Sequence, residues 1–194
     1  LREIILGTTE DVLLDDNDRL LVPKFKQEIS VAATRYKDSK ISIFEPTENQ
    51  HAGGILRHSK IPANISKKIF DEAQAITKNF AEKLNYVGTL NLEFMIDHED
   101  NLYFNEYANR VHNGQWHSVN SYMHSQFCTH IRAVCGLEFI ENKKISNAEM
   151  FNIIGDEIEK FRDKKFKKNE FFFDYLKTET RPGRKMGHLT ILKD

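Results

Sequence analysis

Gly88-Thr89-Leu90-Asn91-Leu92-Glu93-Phe94-Met95-Ile96-Asp97 is followed at once by His98-Glu99-Asp100-Asn101 and then by Leu102-Tyr103-Phe104-Asn105-Glu106-Tyr107. Two apolar-rich runs flank four polar turn residues, so the stretch reads as a hairpin with strands over 88–97 and 102–107. A turn centred between Glu99 and Asp100 sets Glu93 directly opposite Glu106 on one sheet face, with Cβ atoms roughly 4.5–5.5 Å apart. Like charges in that position destabilise a sheet, so something must offset them: a shared proton, a neighbouring Lys or Arg, or a bound hard cation. Oxygen ligands on rigid strands suit Mg²⁺, which completes its shell with water and phosphate oxygens. Asn105 adds a carboxamide oxygen at the edge of such a site, although strict alternation turns it to the other face. The plain alternative is a solvent-facing hairpin whose carboxylates are simply hydrated.

Outward from the hairpin, the chain alternates between strand and helix patterns. Residues 26–35 alternate polar and apolar as a half-buried strand, Asp38-Ser39 is a turn, and 41–44 reads as the partner strand. A short strand lies near 55–57. Ser66 is an N-cap candidate for a helix whose apolar stripe is Ile69, Phe70, Ala73, Ile76, Phe80, Ala81 and Leu84. A second helix is expected from about 118 to 135, ended by Gly136. Cys128 and Cys135, two turns apart on it, are expected to be buried structural thiols. Strands follow at 150–154, 171–176 and 189–192, with a solvated basic loop at 164–168. These form a β-rich C-terminal module.

The chain has 194 residues, 28 Lys+Arg against 29 Asp+Glu, and 40% hydrophobic residues, an ordinary globular composition. A formal net charge of −1 offers no basic field for nucleic acid or an acidic membrane surface. No apolar run approaches the ~20 residues of a membrane span. Two cysteines are too few for a disulfide framework and fit a reducing compartment. Residues 1–6 lack the segments of a signal peptide, and residues 11–18 read as an acidic loop.

Asn105-Glu106-Tyr107-Ala108-Asn109-Arg110-Val111-His112-Asn113, continued by Ser125-Gln126-Phe127 and His130-Ile131-Arg132-Ala133, carries a resemblance. It closely resembles the 5-(carboxyamino)imidazole ribonucleotide synthase family of ATP-grasp ligases, with its N-E-x-A-P-R-x-H-N stretch, S-Q-F and H-x-R-A. Three more stretches agree in order: Glu48-Asn49-Gln50-His51 with Gly54-Ile55-Leu56-Arg57, Tyr86-Val87-Gly88 with Glu93-Phe94, and the segment from Arg181 to His188. The similarity runs from about Phe25 to the end of the chain.

The resemblance implies an α+β fold. Residues 1–138 are expected to be the C-terminal lobe of an ATP-grasp domain, an antiparallel sheet with packed helices, and 139–194 a small β-rich C-terminal domain. It implies ATP-dependent carboxylation of 5-aminoimidazole ribonucleotide by bicarbonate through carboxyphosphate, in a cytoplasmic enzyme of purine biosynthesis that is a homodimer. Glu93 and Glu106 would then carry Mg²⁺ bridging the triphosphate. Glu28 would accept hydrogen bonds from the ribose of ATP, His51 would stand at the nucleotide, and Asn105 would join Glu106 there. Arg110 would neutralise the developing carboxyphosphate, with His112 and Asn113 lining the same pocket. Arg184 and Lys185 would reach the ribonucleotide's phosphate.

The likeness has gaps. Asn109 stands where the family has Pro. Gly114-Gln115-Trp116-His117 replaces S-G-H-W, so that Trp and His exchange order, and Leu20 stands where the family has a glutamate near the adenine. The phosphate-clamping Gly-rich loop with its strand lysine, and the amino-terminal domain, are not in this stretch, and Gly53-Gly54 cannot replace the loop. The 194 residues are therefore not expected to be a competent ligase alone: either the rest of the polypeptide lies outside this stretch, or the protein is a diverged or truncated relative. Two other readings share these features: another ATP-grasp carboxylate–amine ligase, or an inactive fragment acting as a binding module.

Overall fold

The computed structural model describes residues 24–193; the expectations for residues 1–6, 11–18 and Leu20 lie outside the described residues. Nine strands form one antiparallel sheet: β1 (Phe25–Arg35), β2 (Ile41–Ile43), β3 (Thr47–Ala52), β4 (Ile55–Ile61), β5 (Gly88–Asp97), β6 (Leu102–Ala108), β7 (Asn147–Ile154), β8 (Glu170–Asp174) and β9 (Lys185–Lys193). The spatial order is β6-β5-β1-β3-β4-β7-β9-β8, with β2 also on β1. The last three strands join through β4 and β7, where His58 pairs with Phe151 and Ile61 with Ala148.

The period-2 pattern of β1 and β5 decides which face is core. Ile29, Val31 and Ala33 of β1 join Leu90, Leu92, Phe94 and Ile96 of β5 on one side, all buried. Helix α1 (Lys67–Lys83) covers that side with Ile69, Ala73 and Ala81, and Ser66 caps it by accepting the Ile69 N–H at 3.4 Å. The opposite side of the same strands carries Glu28, Ser30 and Thr34 on β1 and Thr89, Asn91 and Glu93 on β5. Polar residues at these positions leave that side free to build a site.

That polar side is covered by the segment after β6, which departs from the expected single helix. Helix α2 (Ser118–Ser121) stops, Tyr122 is extended, and Ser125 starts helix α3 (Gln126–Val134) by accepting the Cys128 N–H at 3.2 Å. The break lets the Tyr122 ring pack on Phe44 at 4.9 Å and its hydroxyl accept the Glu45 N–H. Gly136 ends α3 at φ +71°, as expected. The thiols differ from expectation: Cys128 is only half-buried and Cys135 is exposed, and both are free.

Two further corrections concern strands. Residues 47–52, which carry His51, form strand β3, where the sequence predicts no strand. Strand β9 begins at Lys185, four residues before the strand predicted at 189–192.

Candidate active site

Glu93 pairs with Glu106 in the β5–β6 ladder, but not by the regular turn that the sequence suggests. Close to the turn, Ile96 pairs with Leu102 and Phe94 with Phe104, so the hairpin is centred on Glu99. In that register Glu93 would face Asn105. A bulge between Phe104 and Glu106 leaves Asn105 without a partner in the ladder and moves Glu106 opposite Glu93. The same bulge turns Asn105 toward the site, where its side chain hydrogen-bonds the Glu93 carboxylate. Strict alternation had pointed it away.

The turn itself is held by Asp97. Its carboxylate accepts the N–H groups of Glu99 and Asn101 at 2.9 and 2.8 Å, and its other oxygen accepts from the Asn101 amide and the Tyr103 hydroxyl. These donors, led by Asn101, hold its carboxyl down at about 2.

One ligand atom each from Glu93, Glu106 and His112 lies within 4.8 Å of the others. Burial first, and then the charges of Glu28 and Glu106, push the Glu93 carboxyl up to about 7. Glu28 is raised as well, chiefly by burial, with His51 and Asn49 opposing. Three carboxylates on one face, two of them held above their ordinary range, form a site that favours a cation.

His112 Nε2 lies 3.3 Å from a Glu93 oxygen, and burial with the nearby Arg110 and Lys185 charges holds the imidazole down at about 4. His51 Nδ1 lies 3.3 Å from Glu28. Lys185 is near enough to feel both Glu93 and Arg110, and burial lowers its ammonium. Asn113 follows His112 in the same loop, and its amide nitrogen is buried without a hydrogen-bond partner among the described residues. Arg110 is exposed, with its guanidinium on the Val111 carbonyl. Arg184 donates to the Glu179 carbonyl in its own turn and is not brought to the carboxylates by any contact described here.

Sequence reasoning missed several neighbours. Asn49 ties Glu28, Ser30 and Ser59 together, with contacts of 3.3, 3.0 and 3.0 Å. Lys177 donates to the Lys185 carbonyl and lies over the Tyr175 ring. Trp116 packs its ring at a tilt against Phe127, Tyr175 and His188, joining the loop after β6 to β9. His117 is fully buried between Thr47 and Ser121 at 3.0 Å each. The exchanged order of Trp116 and His117 thus places an indole in an aromatic cluster and an imidazole in a polar one. Gln126 was visible in the Ser125-Gln126-Phe127 motif, but nothing in the sequence gave it a task.

Comparison with known proteins matches residues 21–127 to the ATP-grasp domain and residues 148–194 to the phosphoribosylaminoimidazole carboxylase C-terminal domain. The N5-carboxyaminoimidazole ribonucleotide synthase of Brucella melitensis is 41% identical over 171 residues, which is 88% of this chain and 47% of the relative. The Staphylococcus aureus synthetase solved with ADP superposes with a TM-score of 0.82 at 32% identity, over 89% of this chain and 47% of that one. The Aspergillus clavatus synthase solved with ADP and 5-aminoimidazole ribonucleotide gives 0.83 at 26% identity, over 89% and 48%. The chain spans about half the length of these relatives.

Proposed function

The chain belongs to the ATP-grasp family, and on that premise we propose that it supplies the carboxylate-bearing half of an ATP-dependent C–N ligase. In the whole protein, the reaction would be carboxylation of 5-aminoimidazole ribonucleotide by bicarbonate, giving the 5-(carboxyamino) product, ADP and phosphate. The observation that carries this reading is the Glu93–Glu106 pair, with Glu28 beside it and Lys185 facing it.

Glu93 and Glu106 would hold Mg²⁺, with Asn105 at its edge. The residues fit, since two carboxylates with a carboxamide are hard oxygen donors, and burial and the neighbouring carboxylates penalise the Glu93 charge in a way a cation would relieve. When bound, the ion supplies charge neutralisation for the nucleotide's phosphates.

This chain's own side chains would do the rest. Glu28, held by Asn49, would accept from the ribose of ATP, with His51 beside it. Arg110 would turn its planar fork to the carboxyphosphate formed from bicarbonate. His112 and Asn113 would line the pocket in which the substrate's amine meets the activated carboxyl group, with Asn113 offering its unpaired N–H donors. Lys185, together with Lys177, would hold the ribonucleotide's phosphate, and Arg184 would join them by leaving the Glu179 carbonyl. Positioning and charge account for most of the catalysis in such transfers.

The reading extends to the assembly: a cytoplasmic homodimer, with an ATP-grasp lobe up to residue 138 and a C-terminal domain from 139. Likeness to the synthases supports it, and no helix among the described residues is long and apolar enough to cross a membrane.

The test is Mg²⁺-dependent ATP binding by this chain, with phosphate release by the whole protein. Release that needs both bicarbonate and 5-aminoimidazole ribonucleotide supports the reading. Stimulation by a different amine points to another carboxylate–amine ligase. Absence of nucleotide binding by the whole protein would leave a binding module, a role compatible with the tightly packed loop at Trp116 and His117.

A further inference from the structure

Gln126 is fully buried at the first position of α3, and its carboxamide meets the backbone of His112 twice. The His112 N–H donates to Oε1 at 2.8 Å, and Nε2 donates to the His112 carbonyl at 2.7 Å. A backbone N–H only donates and a carbonyl only accepts, so this double contact also fixes which end of the carboxamide is which. Gln126 is in turn anchored by its own N–H, which donates to Ser118 Oγ at 3.1 Å. The Ser118 hydroxyl donates to the Gln115 carbonyl at 2.6 Å, so both ends of the loop are tied to α3.

The imidazole of His112 is oriented from the other side. The Gly114 N–H donates to Nδ1 at 3.4 Å, so Nδ1 is the bare acceptor and the ring proton sits on Nε2. Nε2 is the nitrogen 3.3 Å from the Glu93 carboxylate. His112 therefore turns a protonated nitrogen, not a lone pair, to the side of Glu93. Its place within the cluster of candidate ligands follows from that approach to the carboxylate.

We propose that Gln126 is a positioning residue: by clamping both backbone polar groups of His112 it holds the Nε2–H edge of that imidazole beside Glu93 and so sets the carboxylate for its ligand. The consequence for the cation rests on the metal reading of Glu93 given above, whereas the clamp itself does not. A buried Gln in such a role is a costly choice unless both ends are satisfied, and here both are. Outer groups that orient a ligand typically change metal affinity by about 10–100-fold when removed.

The chain labelled with ¹⁵N-histidine tests this without any metal. Long-range ¹H–¹⁵N spectra read which ring nitrogen of His112 carries the proton, and His112→Gln assigns the signal. The expected result is a single Nε2–H tautomer in the wild type and a mixture of tautomers in Gln126→Ala and in the similarly long Gln126→Met. Mn²⁺ affinity, read from the EPR signal of the free ion, should fall about 10-fold or more in both variants and be lost in Glu93→Gln. A wild-type His112 protonated on Nδ1 overturns the proposal even if a variant fails to fold, and so does an unchanged His112 pattern in both folded Gln126 variants. A wild type that shows the Nε2–H pattern, with its loss in the variants but no Mn²⁺ binding, supports the clamp and overturns the metal reading of Glu93.

Discussion

Glu93 faces Glu106 because Asn105 is left out of the ladder between them, so their confrontation is built by a bulge and not by the turn. Without it, a one-residue slip would carry Glu106 to the far face of the sheet. Two carboxylates brought together this way repel each other until a cation or proton intervenes, and burial adds to the effect at Glu93. Removing one charge should therefore stabilise the cation-free chain. Glu93→Gln is expected to raise the unfolding free energy at pH 8 by roughly 1 kcal/mol in urea titrations without divalent ions. Mg²⁺ should then stabilise the wild type and leave the variant unchanged. A variant less stable than wild type without metal would refute the repulsion.

The position of the bulge depends on a turn locked by Asp97. Asp97→Ala leaves two backbone N–H groups, the Asn101 amide and the Tyr103 hydroxyl without their shared acceptor. Hydrogen exchange at Glu99 and Asn101 should speed up markedly, with a lower Tm. The Asp97 carboxyl titrates in the folded chain at about 2, below its ordinary value near 3.8. Stability from this turn is therefore complete above about pH 4 and lost as pH falls toward 2. Unchanged amide protection in the variant would show that the turn does not need Asp97.

The strands, the Ser66 cap and the end of α3 at Gly136 were legible because each rests on local chemistry: alternation, a side-chain acceptor, a left-handed residue. The Glu93–Glu106 pairing was also legible, though by a wrong turn centre that the bulge made good. The bulge was not, because Asn105 departs from alternation only when its amide meets Glu93 across the sheet. Nor was the break at Tyr122, whose ring leaves the helix to pack on Phe44, a residue distant in sequence. Strand β3 was hidden because Gln50, His51 and Ala52 are exposed and carry no alternating pattern. The double contact of Gln126 with a backbone fourteen residues away has no local signature at all.

Gly114 lies where a side chain would be crowded. A Cβ there would come 3.0 Å from Ser30 Oγ and 3.1 Å from Asn49 Oδ1. Neither atom can retreat freely, since Asn49 donates to Ser30 and accepts from Ser59. Gly114→Ala should cost about 1–3 kcal/mol by forcing this cluster apart. Because Asn49 also donates to Glu28, the same change should weaken nucleotide binding if Glu28 holds the ribose. Calorimetry with ATP would show it, and an alanine variant as stable as wild type would mean the loop shifts without penalty.

Three buried imidazoles give the chain a predictable response to acid. Burial, aided by nearby cations at His112 and His117, holds His112 and His188 down at about 4 and His117 at about 3. Unfolded imidazoles bind protons near 6.5, so stability from these groups is complete above that pH and falls as pH drops below it. Glu93 works the other way: its folded value of about 7 lies above the unfolded one near 4.5, so its penalty eases as pH falls between them. Each group contributes at most about 1.4 kcal/mol per pH unit, so three imidazoles outweigh one carboxyl. Net stability should fall by about 1–3 kcal/mol per unit between pH 6 and 5. Urea unfolding across that range measures the slope, and His117→Asn, which removes one imidazole, should flatten it by roughly one group's share. A slope of the opposite sign would mean that the Glu93 penalty, and not imidazole burial, governs the acid limb.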